Sequence, residues 1–485
     1  MDDKIYFNGV NGTTGKYLFE PVSTTELSKT ITGQKEDQGI IKWLKYIRDR
    51  ITNPFLGLPV DVDPAEPSQA GWGIIFHKDE DERVKQAMTV LIDHRRNQLG
   101  EQHVKVLTYL GPEVEDYRQF LARHGVGLGD IVPTKIPYYL LLVGSPEHIP
   151  FDFGQNLDVE YAVGRLHFDR VEDYTCYVKS LIEYETLENP APNVKDAVFF
   201  GTRHEFDIAT QLSADHLMAP LINGIPESNN VPAQPGIAQK WGFRLRQYLG
   251  PKATKAELTN IFADTANRNC PAFIFTATHG MGWLTPNPSQ KSKQGALICQ
   301  NWPGFGDITP DHYFAASDIP SQSKIHGMIS FNFACYGAGT PRDNRFTDKL
   351  NQIPSQIADT PFLAALPKTL LAHPNGGALA CIGHIDRAWG CSIRPRGLST
   401  AQLLPFQNAI SRIMIGQPVG YAMKDFNERY ASFSTYISEK LEHIRFGMAI
   451  EENDLSWNWI ERNDAQGYAI VGDPAVRLRV HELQL

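Results

Sequence analysis

Apolar positions along the chain fall into short, nearly continuous runs separated by longer segments of helical period. The runs are WGIIFH at 72–77, a stretch at 104–109, YYLLLV at 138–143, KDAVFFG at 195–201, PAFIFTATHG at 271–280, MISFNFACYGAG at 328–339 and GGALACIGHI at 376–385. Runs of this length bounded by turn residues predict strands buried on both faces, as in a parallel sheet. The intervening segments predict helices. Residues 79–98 carry Val84, Ala87, Met88 and Leu91 on one side, and helices are expected at 114–124, 254–263, 403–415 and 419–430. Thr254 and Glu257 have the spacing of a capping box, in which each side chain satisfies a free first-turn N–H. Alternating strand and helix give an α/β chain with a doubly wound parallel sheet.

Residues 1–70 read as an N-terminal extension. It holds a helical pattern at 40–51 and ends in the Pro- and acid-rich linker PVDVDPAEPSQAG. Its GVNGTTGK resembles a phosphate loop but has five residues between Gly9 and Gly15 and Tyr17 in place of Ser or Thr, so a Gly-rich turn is expected. Residues 71–194 are expected to form a first, non-catalytic subdomain and 195–485 a catalytic one, with the strand at 195–201 opening a second sheet.

Two of the runs carry chemistry at their ends. One stops at His279 followed by Gly280, the other at Cys335. Ligands and reactive groups of open α/β sheets gather just beyond the carboxyl ends of the strands. A thiol and an imidazole brought together there are the parts of a cysteine nucleophile and its base. Gly280 allows close backbone approach, and its N–H, with that of Cys335, is the expected pair of oxyanion donors.

Charge and cysteine usage narrow the setting. The 485 residues carry a formal net charge of −9, which argues against general nucleic-acid binding. Six dispersed cysteines form no CxxC pair and no small-domain disulfide framework. No apolar run approaches a membrane span and no secretory leader is visible, so a reducing, cytoplasmic setting is expected. A G-x-S-x-G elbow, an H-E-x-x-H helix and a Walker loop are all lacking, which removes serine-esterase, zincin and P-loop NTPase readings. No metal cluster stands out, and neither metal nor cofactor is expected.

ATHGMGW and FACYGAGTP resemble the His and Cys boxes of caspase-like cysteine peptidases, which place the His about 50 residues before the Cys; here the separation is 56. The chain is most similar to the gingipain-type C25 peptidases, with the CHAT proteases as cousins. Asp158 with Tyr161, Gly164 with Arg165, Tyr184 with Glu185, and the Gly-Asp-Pro turn within GYAIVGDPAVRLRV continue the resemblance over about 138–480. It implies a three-layer αβα sandwich of two adjacent subdomains with mostly parallel sheets. It implies an endopeptidase acting on polypeptides through Cys335 and His279. Glu205, with Asp207 as alternative, is the implied carboxylate orienting His279. Trp389 is the implied wall of the P1 pocket, and Asp215 or Asp343 the implied acid receiving a P1 Arg or Lys. An activating protein partner follows by the same analogy. The competing reading is a catalytically silent or latent peptide-binding or regulatory module on the same fold.

Overall fold

The computed structural model describes residues 4–6, 8–33, 58–187, 193–227, 232–263, 270–344, 356–393 and 402–484. The helix expected at 40–51 lies outside the described residues, as does part of the polar stretch after Cys335.

After a two-residue strand at Lys4–Ile5 that pairs with Val22–Ser23, the described chain forms a short strand, β1 (Gly9–Asn11), and a helix, α1 (Thr24–Gly33). The first half of the main sheet follows. Its strands are β2 (Trp72–His77), β3 (Val104–Tyr109), β4 (Tyr139–Val143) and β5 (Ala162–Leu166). Between them run α2 (Glu82–Leu99), capped by the Asp81 side chain, and, after β5, α3 (Val171–Thr186). The second half begins with β6 (Val194–Gly201), α4 (Ile208–Ser213), β7 (Arg244–Leu249) and β8 (Pro271–Ala277). Three short strands come next: β9 (Gly280–Gly282), β10 (Leu297–Ile298) and β11 (Tyr313–Phe314). The chain closes with β12 (Ile329–Phe333), β13 (Ala380–His384), α5 (Leu404–Met414), α6 (Lys424–Arg445), α7 (Glu452–Gly467) and β14 (Tyr468–Gly472).

Ten of these strands make one continuous sheet in the order β3-β2-β4-β5-β14-β13-β12-β8-β6-β7. The expectation of a second sheet opening at 195–201 is corrected here. The strands on either side of residue 194 are joined edge to edge by β14, which pairs parallel with β5 and antiparallel with β13. Every other pairing in the sheet is parallel. The central strands are buried along their whole length, matching their unbroken apolar runs. The edge strand β7, RLRQYL, was not expected from the sequence. It carries Arg244, Arg246 and Gln247 among its six residues and none of the six is buried, as in edge strands that resist further pairing.

The resemblance motifs hold the seam. Asp473, in the turn after β14, is fully buried and accepts from Trp72 Nε1 at 3.0 Å and from Arg95 Nη2 at 2.8 Å. Arg95 reaches up from α2 and also binds Glu185 at the end of α3 at 2.6 Å. Tyr184 accepts a hydrogen bond from the Arg479 amide at 3.1 Å. Arg165 on β5 is buried and donates to the carbonyls of Ile149 and Pro150, both at 2.6 Å. Asp158 accepts from the Val163 amide at 2.8 Å, and burial pushes its carboxyl up to about 7.

A four-stranded sheet, β11-β10-β9-β1, sits over the carboxyl end of the main one. Its strand β1 comes from the N-terminal extension. Farther along that extension, α1 packs on α7, where Ser456 Oγ donates to the Thr24 carbonyl at 2.8 Å. Among the described residues no helix is long and apolar enough to cross a membrane.

Candidate active site

Strand register alone brings the two reactive residues together. β8 and β12 are parallel neighbours with Ala277 opposite Phe333. His279 and Cys335 each lie two residues farther on, at the same level beyond the sheet. The backbone just before them is tied across, with the Thr278 amide donating to the Phe333 carbonyl at 3.1 Å. Gly280 is packed so tightly against this junction that a Cβ there would stand 1.9 Å from the Cys335 carbonyl oxygen and 2.8 Å from its amide nitrogen. Only glycine fits, and the Gly280 and Cys335 amides adjoin as two oxyanion donors would.

The next strand over, β13, supplies the far wall. The Ala388 amide donates to Cys335 Sγ at 3.2 Å, and the Tyr336 amide donates to the Asp386 carbonyl at 2.7 Å. Tyr336 and Asp386 both adopt positive φ, 58° and 74°. Left-handed backbone in bulky residues costs of order 1–3 kcal/mol and collects where geometry is over-determined.

The carboxylate on the imidazole is Asp207. His279 Nε2 lies 2.7 Å from Asp207 Oδ2, and both side chains are completely buried. Glu205, the first expectation, has an exposed side chain in the turn before α4 and is replaced in this role by Asp207. The reason is local. Asp207 is the N-cap of α4, and its carboxylate also accepts the amides of Ala209 and Thr210 at 3.3 and 3.1 Å. A cap must face the helix axis, and that turns the carboxylate inward toward His279, while a residue two places earlier points out. The Asp-x-x-Thr pattern at 207–210 was the sequence signal for this cap. The Tyr17 hydroxyl also donates to Asp207 Oδ1.

Charge follows from these contacts. Burial alone would raise the Asp207 pKa. The imidazolium beside it and hydrogen bonds from His279, Tyr17 and Thr210 hold it well below the usual carboxylate range instead. Burial alone would lower that of His279, but the Asp207 charge and hydrogen bond, with a smaller contribution from the Asn8 backbone, raise it. An ionised carboxylate can only accept, so Nε2 carries the proton. Nδ1 is the nitrogen left to take one; it is buried and faces the Asn8 backbone. The Cys335 thiol, fully buried, is pushed up to about 12 by burial, against a lowering contact with Ala388.

The remaining expected residues lie elsewhere or act differently. Trp389 is buried and shares a small apolar cluster with Ile5, Leu27 and Trp459, its ring edge-on to Trp459 at 6.0 Å. Its amide donates to Asp464 at 2.9 Å. Asp215 is half-exposed and gripped by both guanidinium arms of Arg203 at 2.9 and 3.0 Å. Asp343 is exposed beside Arg342. The charges that act most on Cys335 are those of Arg387, Asp386 and Asp464. Four residues of the site escaped the sequence reading: Asn8, Gly9 and Tyr17, which come from the extension, and Gly390, whose amide donates to Asn8 Oδ1 at 3.3 Å. Asn8 and Gly9 carry no catalytic signature, and some 270 residues separate them from His279. Among the described residues no cluster of His, Cys, Asp or Glu is suited to hold a metal ion.

Comparison with known proteins bears on this arrangement. No curated relative matches the chain by sequence. Among solved structures it is similar to a protease at 12% identity, covering 88% of this chain and 81% of that one with a TM-score of 0.48. It is similar at 12% identity to the Arg-specific cysteine proteinase gingipain R, covering 86% of this chain and 80% of that one with a TM-score of 0.42. The Saccharomyces cerevisiae separase–securin complex matches at 10% identity over 93% of this chain but 24% of that one, with a TM-score of 0.29. The decisive match is to the family model of peptidase family C25, which spans residues 76–479 and so takes in nine of the ten strands of the main sheet whole, the end of β2, and both His279 and Cys335. The chain belongs to peptidase family C25, and it is a cysteine peptidase whose substrates are polypeptides.

Proposed function

We propose that the chain hydrolyses internal peptide bonds with Cys335 as nucleophile, His279 as general base and acid, and Asp207 as the residue that positions His279. The observation that carries this reading is the buried 2.7 Å contact between His279 Nε2 and Asp207, on a histidine level with Cys335 at the adjacent strand end. With Nε2 held as donor, Nδ1 accepts the thiol proton. The sulfur then attacks the scissile carbonyl, and the oxyanion that develops is received by the amides of Gly280 and Cys335. Collapse breaks the C–N bond, and His279 returns its proton to the leaving amine. Water, deprotonated by the same nitrogen, then cleaves the thioester and regenerates the thiol. Each oxyanion donor is worth about 10²–10³ in rate.

A basic P1 residue would need an acid in the pocket. With Asp215 engaged by Arg203 and Asp343 on the surface, neither residue supports that preference. All six cysteines are free thiols, in keeping with a reducing, cytoplasmic setting.

The test is a fluorogenic peptide panel varied at P1, run on the wild type, Cys335→Ala and His279→Ala. The reading predicts cleavage that both substitutions abolish. Cleavage that survives Cys335→Ala would overturn it. A latent form of the enzyme is the second reading, because Cys335 and His279 both have 0% exposure.

A further inference from the structure

The residues that close this site belong to the chain's own N-terminal extension, and they lie in it as a peptide substrate would. β1 runs parallel to β9, the strand that begins at Gly280, with Gly9 opposite Gly280 and Val10 opposite Met281. The Asn8 carbonyl accepts the Gly280 amide at 3.3 Å, which is the donor assigned above to the oxyanion. Gly9 follows directly, and a methyl on it would stand 3.5 Å from Cys335 Sγ. A carbonyl at the oxyanion donor with the next residue beside the sulfur is the polarity of a scissile bond, here Asn8–Gly9.

The Asn8 side chain then marks the pocket beside that bond. It is fully buried, and its Oδ1 accepts the Gly390 amide. Any Cβ at 390 would come within 2.7 Å of that oxygen, so the wall fits closely around the Asn8 oxygen, while Nδ2 is buried without a hydrogen-bond partner. Gly390 follows Trp389, the residue expected to wall the P1 pocket. Among the described residues the Asn8 side chain is bonded by the neutral Gly390 amide and by no carboxylate, and a charged Arg or Lys head in its place would lose its water.

The rest of the extension fastens the strand down. Tyr17 bonds Asp207 and lays its ring 5.9 Å from that of His279. Val10 is buried among Met281, Trp283 and Trp302, and the Gly12 amide donates to the Gly282 carbonyl at 2.8 Å.

We propose that residues 8–11 are an intramolecular occupant of the substrate channel, which keeps the peptidase latent until the strand is displaced, and that the pocket they fill accepts a small uncharged amide, Asn, at P1. This rests on the reading of Cys335 and His279 as the working pair. Substrate enters by β-strand addition to β9 once β1 has left that edge.

The test loosens the strand in the full chain without touching Cys335, His279 or Asp207. Val10→Asp buries a charge under β1. Gly12→Ala places a methyl 2.0 Å from the Trp283 ring and serves as a second variant should the first not fold. Each is treated with iodoacetamide and with acyloxymethyl ketone peptides bearing P1 Asn or P1 Arg, and labelling of Cys335 is read by intact mass and peptide mapping. The proposal expects a folded loosened variant to be labelled by iodoacetamide at least about tenfold faster than the wild type, and to react with the Asn reagent faster than with the Arg reagent. Equal iodoacetamide rates in wild type and folded variant would overturn the occupancy. So would wild-type Cys335 reacting as fast as a free thiol, a measurement that needs no variant. Faster reaction with the Arg reagent would overturn the pocket assignment. Iodoacetamide labelling that rises in the variant while neither peptide reagent reacts would sink the peptidase reading and the P1 assignment together, yet leave the cover in place. Failure of the cover and failure of the chemistry are therefore read separately.

Discussion

Asp207 receives four donors at once: His279, Tyr17 and two amides of the helix it caps. Such a carboxylate is held in one orientation, and through it the imidazole is held in one tautomer. Asp207→Asn presents an amide that can offer N–H where an acceptor is required. Turnover on a peptide substrate, measured once β1 has been loosened, is expected to fall about 10²–10⁴-fold with KM little changed. Glu205→Gln in the same background is expected to leave turnover within about twofold. The pair also makes stability depend on pH. His279, with its pKa raised, contributes fully below about 6.5, its unfolded value, and loses that contribution as pH climbs through its folded value. Asp207, with its pKa depressed, contributes fully above about 3.8 and loses it as pH falls through its folded value. Both are present together between roughly pH 4 and 6.5. The difference in Tm between wild type and Asp207→Asn should therefore be widest in that window and narrow toward pH 9. That His279 and Cys335 lie level at neighbouring strand ends was legible in the sequence because it needed only two apolar runs with a reactive residue at the end of each. Asp207 was less so: GTRHEFD offers two acids on one polar loop, and only the cap that Asp207 makes decides between them.

At the scale of elements, strand register and helix capping set the site, and buried ion pairs hold the elements in place. Arg95 on α2 ties Glu185 at the end of α3 to Asp473 after β14, with all three side chains buried or nearly so. Removing Asp473 leaves the buried Arg95 with Glu185 as its one carboxylate and takes away the acceptor of Trp72 Nε1, so Asp473→Ala is expected to cost about 3–5 kcal/mol, read as a lowered midpoint in urea. Because Asp473 lies on the turn that leaves β14, the same substitution should loosen the seam between the two halves of the sheet. Most strands were legible because burial on both faces writes an unbroken apolar run. β7 was not, since an exposed edge mixes Arg244, Arg246 and Gln247 with its apolar residues and so breaks the run. The helix expected at 419–430 is a short turn at Val419–Ala422 followed by the much longer α6, whose polar face and low overall hydrophobicity masked its length.

At the scale of the described chain, segments far apart in sequence are woven into its two larger sheets. The C-terminal strand β14 is inserted between the two halves, and the N-terminal strand β1 lies over the reactive ends. Neither placement could be read from local pattern, because each depends on pairing across hundreds of residues. The GVNGTTGK stretch looked like an unremarkable turn, and as a turn it folds, with the Gly15 amide on the Asn11 carbonyl at 2.7 Å. What the pattern did not disclose is that the residues leading into that turn pass beside Cys335.

The central claim is that Cys335 is the nucleophile and that His279 activates it. The most direct measurement is the site of covalent attachment of an acyloxymethyl ketone peptide, mapped by mass spectrometry in wild type, Gly12→Ala and Gly12→Ala/His279→Ala. The account predicts label on Cys335 alone, faster in Gly12→Ala than in wild type and lost with His279. Label on any of the other five cysteines, or attachment to Cys335 that His279→Ala leaves unchanged, would contradict it.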